Sequence, residues 1–314
     1  MSEIRWNSML GEWVIVTPDR ASRPFQDEER KCPFCPDQEE TEGEWKVLTL
    51  DNRFAALQPD SGLIYLDPPL VIGAPAHGYC KVIIESRNHD EQIEDMNANQ
   101  LKNVYQEFLR NFVELDSKKG IEYVFQFENR GKAIGVSLDH PHAQVYAMPF
   151  VPPRIQREMV QFRKYKQENG ECLVCETIEN EFKSHARIIK ESDNFVSIVP
   201  YGARLPYEVH VYPKKHVPSI VELEEDLEEF GIILSDVVKR YKKVFDEIAY
   251  TMVFHTRPSK LKDDLWHFHV EFYPPWRDRS RLKYLAGVES GTWTYTNDSS
   301  PEAKAKELRE ALSE

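Results

Sequence analysis

Hydrophobic and polar positions along this chain follow two rhythms, a period of two in short runs and a period near 3.6 in longer ones. The run EWVIV, Glu12 to Val16, predicts a short strand ended by Pro18. GYCKVIIESRNH is rich in β-branched residues and predicts a strand leading to His89. From Asn97 to Leu115 the rhythm lengthens, and Leu101, Val104, Tyr105, Phe108 and Phe112 share one face of a predicted helix. A Lys-Lys-Gly stop follows, and IEYVFQFENRGKAIGVSLDHPHAQVYAMP then predicts a strand, a glycine-punctuated turn and a second strand.

From about Val151 the chain turns polar and helix-prone in PPRIQREMVQFRKYKQENG, after which the same plan begins again. DNFVSIVP echoes NRFAALQP, EVHVYPKKH predicts a strand ending at His216, a helix is expected from about Glu222 to Glu247, and a strand closes in LWHFHVEFYPP. The spacings repeat as well. Fifty-one residues separate His89 from His140 and fifty-one separate His216 from His267, while Cys35 lies 19 before Phe54 and Cys175 lies 20 before Phe195. The chain therefore reads as an internal duplication with halves at 1–165 and 166–314.

Composition narrows what such a chain does. Its 314 residues, 41% hydrophobic, suffice for a large core, and a net charge of −13 argues against a general nucleic-acid or membrane-surface binder. No apolar run reaches the roughly 20 residues that span a bilayer, and the start MSEIRWNSML has no basic or apolar leader, so a cytoplasmic location is expected.

Four of the five cysteines form two C-x-x-C pairs, Cys32 with Cys35 and Cys172 with Cys175, while Cys80 reads as a plain buried thiol. Inside a cell such pairs suggest metal ligands or a redox dithiol. Because each half supplies Cys, Cys, His, His in the same order, metal ligation is preferred, with thiolates from a tight turn and imidazoles from distant strands. Site one is Cys32, Cys35, His89 and His140; site two is Cys172, Cys175, His216 and His267, giving two Zn2+ per chain. The plainer reading of His216, in PKKHVPS, is a histidine at a helix start with no ligand role.

SLDHPHAQVYA holds the candidate chemistry. Pro141 between His140 and His142 excludes helix, so both imidazoles are expected on one side of a strand. With His140 on metal, His142 is free to act as a nucleophile toward phosphorus, and Gln144 on the same face can donate to a phosphoryl oxygen. Two nearby histidines are also common by chance. The duplicate pair, His269 and Glu271, lacks the amide and is not expected to be a second centre.

At these residues the chain resembles the galactose-1-phosphate uridylyltransferase branch of the histidine-triad superfamily. The likeness runs through P-D-R-A-S-R-P, C-P-F-C, N-R-F-A-A-L, F-E-N-R-G-K-A-I-G-V-S, H-P-H-A-Q, V-P-Y-G-A-R-L-P-Y-E, E-F-Y-P-P and L-K-Y-L-A-G-V-E, nearly the whole length. It implies an α+β fold of two fused histidine-triad repeats, antiparallel sheets flanked by helices, in a homodimer. It also implies a ping-pong exchange in which His142 takes the nucleotidyl group of UDP-glucose and passes it to galactose 1-phosphate. By the same match Asn129, Gly135, Val136, Ser137 and Gln144 would hold phosphates and ribose, and Asn52 and Arg53 the nucleoside. Arg20 and Arg23 would reach across the dimer, and Lys283, Tyr284, Val288, Glu289 and Tyr295 occupy the hexose-binding positions.

The chain also departs from that pattern. Val288 stands where a tyrosine is usual and Tyr295 where a glutamine is. The family's iron positions are here Glu158, His255, His269 and, instead of a third histidine, Glu271; a second zinc, as in the related ADP-glucose phosphorylase branch, is therefore preferred to iron at Glu158, His255 and His269. Competing readings are an ADP-glucose phosphorylase-type adenylyltransferase, a hydrolase in which water takes the intermediate, and a non-catalytic zinc-stabilised nucleotide-binding protein.

Overall fold

The computed structural model describes residues 2–18, 31–61, 71–136 and 138–313, so Arg20, Arg23 and Ser137 lie outside the described residues. In chain order the strands are β1 (Glu3–Asn7), β2 (Glu12–Val16), β3 (Leu48–Asp51), β4 (Gly73–Pro75), β5 (Tyr79–Ile84), β6 (Tyr123–Arg130), β7 (His142–Met148), β8 (Ile188–Glu191), β9 (Phe195–Ile198), β10 (Val209–Pro213), β11 (Tyr250–His255) and β12 (His269–Tyr273). The α-helices are α1 (Ala98–Asp116), α2 (Pro153–Asn169), α3 (Leu173–Ser184), α4 (Leu227–Val244), α5 (Gly287–Thr292) and α6 (Pro301–Glu310).

Nine strands form one sheet in the order β3-β5-β7-β6-β11-β12-β10-β9-β8, and β2-β1-β4 form a small second sheet. The duplication is visible in that order: outward from the centre, one half runs β6, β7, β5, β3 and the other β11, β12, β10, β9. The halves meet where β6 pairs antiparallel with β11, Glu128 opposite Met252 and Asn129 opposite Thr251. The two repeats thus share a single backbone hydrogen-bonded sheet, in an α+β arrangement.

Side chains alternate across these strands, so each face of the sheet collects its own core. One face packs Val145, Ala147, Val211, Phe254, Val270 and Phe272 against α1 and α4. The other packs Tyr212, Val196, Ile198 and Trp266 against Ile155 and Phe162 of α2 and Val174 and Ile178 of α3. The amphipathic reading of α1 is met: Leu101, Val104, Tyr105, Phe108 and Phe112 are all buried, and the Asn97 side chain caps the helix by accepting from the Gln100 N–H. α4 crosses α1 closely at Gly231, where an added Cβ would lie 2.7 Å from the Leu101 Cβ.

The expected helix from Glu222 to Glu247 is divided. Ser219 and Glu222 make a reciprocal capping box that starts a 3-10 turn, Ile220–Asp226, ahead of α4. It also ends early, at Val244, because buried Phe245 adopts an extended backbone and sends the chain into β11. Among the described residues no helix is long and apolar enough to cross a membrane.

Candidate active site and metal centres

His142 is the first residue of β7, opposite Ile84 of β5, and the peptide before it is pinned by a bond from the Glu85 N–H to the Pro141 carbonyl at 3.1 Å. The His142 Nδ1 lies 2.7 Å from the His140 carbonyl oxygen. A carbonyl only accepts, so the proton sits on Nδ1 and the lone pair on Nε2. Burial lowers the His142 pKa, which favours the neutral ring. The residue therefore presents an uncharged nitrogen with a free electron pair.

A cavity of about 220 Å³ opens there, lined by His142, His140, Asn129, Val136 and Lys132 from the first half and by Glu247 and Ile248 from the second. The two halves touch at Gly131, where φ is +92° and a Cβ would come within 2.4 Å of the Ile248 carbonyl. This glycine turn is what lets the loop after β6 fold against the second repeat and shape the cavity.

Other residues singled out in the sequence fall around this centre. Gln144 is half-buried, between Val82 of β5 and Phe127 of β6. Gly135 ends the turn after β6 with φ +80°. Asn52 accepts the Phe54 N–H, and Arg53 pairs with Glu40 at 2.8 Å. At the far end of the chain Glu289 is buried, accepting from Lys283 at 2.8 Å, from the Ala286 N–H and from Thr296, so it caps α5. Tyr284, Val288 and Tyr295 stand exposed beside it.

Two Cys2His2 groups assemble. The ligand atoms of Cys32, Cys35, His89 and His140 lie within 4.8 Å of one another, and so do those of Cys172, Cys175, His216 and His267. Outer bonds orient the imidazoles: His140 Nε2 faces the Ser86 carbonyl at 2.8 Å and His267 Nε2 the Pro213 carbonyl at 2.9 Å, leaving each Nδ1 lone pair toward the sulfurs. Such a donor set fits zinc. In the second group the Cys172 thiol is pulled down, chiefly by its hydrogen bond with Cys175, whose own thiol is pushed up by the same bond. Binding a cation would require both thiols to give up their protons.

A third group also forms: Glu158 from α2, His255, His269 and Glu271 bring one ligand atom each within 4.8 Å of one another. The sequence offers the second Cys2His2 group and this one as alternatives; the structure assembles both. His269 copies His142, with Nδ1 facing the His267 carbonyl at 3.0 Å, but its Nε2 meets Glu271 at 3.5 Å and Glu158 at 3.7 Å. Arg154 binds both Glu158 and Glu271, and His210 joins Glu271 at 3.2 Å and Glu208 at 2.9 Å. Burial disfavours the His269 imidazolium, yet its bond to Glu271 and the nearby carboxylates raise its pKa. The roles of Arg154, Glu208 and His210 were not seen in the sequence. The signal is the alternation E-V-H-V-Y leading into β10, which sends Glu208, His210 and Tyr212 to one face.

Two repeats joined in one α+β sheet, with two Cys2His2 groups and a histidine facing a cavity, define the class: a duplicated protein with a metal-capable thiolate–imidazole framework. Family models narrow it: the N-terminal domain of galactose-1-phosphate uridyl transferase matches residues 1–152 and its C-terminal domain residues 158–313. The chain belongs to the galactose-1-phosphate uridylyltransferase family. The Thermotoga maritima galactose-1-phosphate uridylyltransferase is 38% identical over 99% of this chain and 98% of its own. An Arabidopsis thaliana ADP-glucose phosphorylase is 27% identical over 98% of this chain and 92% of its own. Among solved structures, a uridylyltransferase superposes with TM-score 0.90 at 32% identity, covering 99% and 98% of the two chains. The Arabidopsis ADP-glucose phosphorylase with bound ADP-glucose does so with TM-score 0.78 at 27% identity, covering 99% and 98%.

Proposed function

We propose that this enzyme moves a uridylyl group between UDP-glucose and galactose 1-phosphate through a covalent intermediate on His142. One observation carries the reading: the His142 Nδ1 is committed to the His140 carbonyl, so Nε2 is left as the nucleophile beside a cavity. The Nε2 lone pair forms a bond to the α-phosphorus as the bond from phosphorus to the bridging oxygen breaks, and glucose 1-phosphate leaves with that electron pair. The Nδ1 proton stays on the ring, facing the carbonyl dipole that steadies the charged adduct. Galactose 1-phosphate then attacks the same phosphorus, and Nε2 leaves with its pair restored. Asn129, Gly135, Val136, Ser137 and Gln144 are read as the phosphate and ribose contacts, and Lys283 to Tyr295 as the hexose end.

The donor sets support zinc in both Cys2His2 groups. The third group, with no thiolate, suits an ion content with nitrogen and oxygen ligands such as iron or zinc. Thiols kept as metal ligands fit a reducing compartment, which supports a cytoplasmic enzyme, and we read the working form as a homodimer.

The test is intact-mass spectrometry after brief mixing with UDP-glucose or ADP-glucose without acceptor, followed by peptide mapping. A uridylyl adduct on His142, absent from His142→Gly although that variant still binds nucleotide, is the expected result. An adenylyl adduct instead would assign the chain to ADP-glucose chemistry, and no adduct from either sugar would overturn the covalent mechanism.

A further inference from the structure

We propose that Arg154 is the resident cation of the third group: its guanidinium bridges Glu158 and Glu271 in place of a metal ion, so that the group takes up a divalent ion only when Arg154 is removed. This holds whether or not His142 is the nucleophile. Glu158, His255, His269 and Glu271 have donor atoms that suit an ion; what does not suit one is the arginine among them.

Every carboxylate oxygen of the group already has a partner. Glu158 Oε1 accepts from Arg154 Nε at 3.1 Å, and its Oε2 meets His255 Nδ1 at 3.0 Å. Glu271 Oε2 accepts from Arg154 Nη2, with the Arg204 guanidinium 3.9 Å away, and its Oε1 meets His210 Nε2 at 3.2 Å. Arg154 and Glu158 are one turn apart on α2 and Glu271 comes from β12, so a single guanidinium joins helix to sheet, as a shared ion would. The arginine is also stacked, its guanidinium carbon 5.2 Å from the centre of the Tyr273 ring.

Charge explains why the two cations exclude each other. Glu271 is buried, and a carboxylate taken out of water needs positive charge beside it. Arg154 supplies that charge from the first turn of α2, the end of a helix where the backbone dipole disfavours a cation, so the carboxylates are what hold it there. A divalent ion on the same oxygens would sit directly beside the guanidinium, in a buried site where repulsion is weakly screened. In the first half the counterpart of Glu271 is the neutral Gln144, which brings no charge to be answered. In the two Cys2His2 groups the outer bonds of His140 and His267 end on neutral carbonyls, which leaves the thiolate charge for a metal.

The experiment is a Co2+ titration of the full chain, purified with zinc, as wild type, Arg154→Met, Arg154→Lys and the double variant Arg154→Met with Glu158→Gln, reading metal per chain, absorption spectrum and melting midpoint. Cobalt held by imidazole and carboxylate gives weak visible bands, whereas exchange into a Cys2His2 group adds a thiolate charge-transfer band, so the spectrum tells which group is filled. Expected is one more ion per chain in Arg154→Met than in wild type, without the thiolate band, at an affinity roughly a hundredfold or more above that of wild type. Its midpoint should rise with added ion while that of wild type does not, and the double variant should lose the gain. Arg154→Lys, which keeps the charge, should behave as wild type. A wild type that as purified holds an ion lost on Glu158→Gln overturns the proposal. So does an Arg154→Met that keeps its fold and takes up no further ion, since Arg154 would then be a structural tie alone. If Arg154→Met folds only with added Co2+, the ion has taken the place of the arginine, as proposed; if it folds in neither condition, the same criterion is applied to Arg154→Gln.

Discussion

At the scale of single residues, the first half of the sheet buries a carboxyl group at unusual cost. Glu128 on β6 is 4% exposed, beside buried Glu85; one oxygen accepts the Tyr250 hydroxyl at 2.7 Å and the other is buried without a partner. Burial pushes its carboxyl up to about 7, against an ordinary 4.5. Nearby Arg130 offsets this only in part, because its guanidinium is engaged by both oxygens of Glu94 at 2.5 and 2.9 Å. A carboxyl whose pKa is raised on folding binds its proton more tightly in the folded chain. Its contribution to stability is present below the ordinary carboxylate range and is lost as pH rises toward 7. Thermal unfolding followed from pH 5 to pH 8 should therefore show the midpoint falling, with a slope of at most ~1.4 kcal/mol per pH unit from this proton. Glu128→Gln keeps an acceptor for Tyr250 and should flatten the slope; an unchanged slope would place the effect elsewhere.

At the scale of elements, each C-x-x-C turn and its two histidines tie together segments that are distant in the chain. The second group joins the start of α3, the loop after β10 and the approach to β12. This much was legible, because tight-turn thiolates and equal histidine intervals are sequence features with a direct geometric meaning. The early end of α4 was not: Ser219 and Glu222 form a capping box at the start, but only the packing of buried Phe245 decides where the helix stops. Nor could spacing show that the third group coexists with the second, since its members come from α2, β11 and β12 and meet only when the sheet closes. Metal analysis separates the groups. Cys175→Ala should lose one zinc per chain and at least ~2 kcal/mol, or roughly 4 °C in melting midpoint. Glu158→Gln should leave the thiolate-bound zinc in place and remove any ion held by the third group. Equal metal content in Cys175→Ala and wild type would show that the second thiolate pair holds no ion.

At the scale of the whole molecule, the duplication that spacing revealed is a continuous sheet in which one repeat keeps an open histidine and the other encloses its counterpart in charges. Among the described residues, two groups of large apolar side chains stand exposed. On the small sheet Met9 is 95% and Val71 67% exposed, with Leu10 and Ile72 beside them. Near the C-terminal end Tyr284 is 76% exposed, followed by Leu285, Val288 and Trp293. Sequence periodicity could not mark these positions as uncovered, because both strips lie on short elements whose apolar residues look like core. Large exposed apolar side chains are a feature of interfaces, and a stable one buries about 1,200–2,000 Å² in total. In the proposed homodimer these side chains would form the contact between subunits. Light scattering should then give twice the 36.8 kDa of a single chain, and Leu10→Glu with Val71→Lys, far from His142 in sequence and outside the metal groups, should shift the mass toward one chain. Wild type at 36.8 kDa at micromolar concentration would rule the dimer out. A dimer unmoved by the double substitution would place the contact on the C-terminal strip, where Tyr284→Asp becomes the discriminating variant.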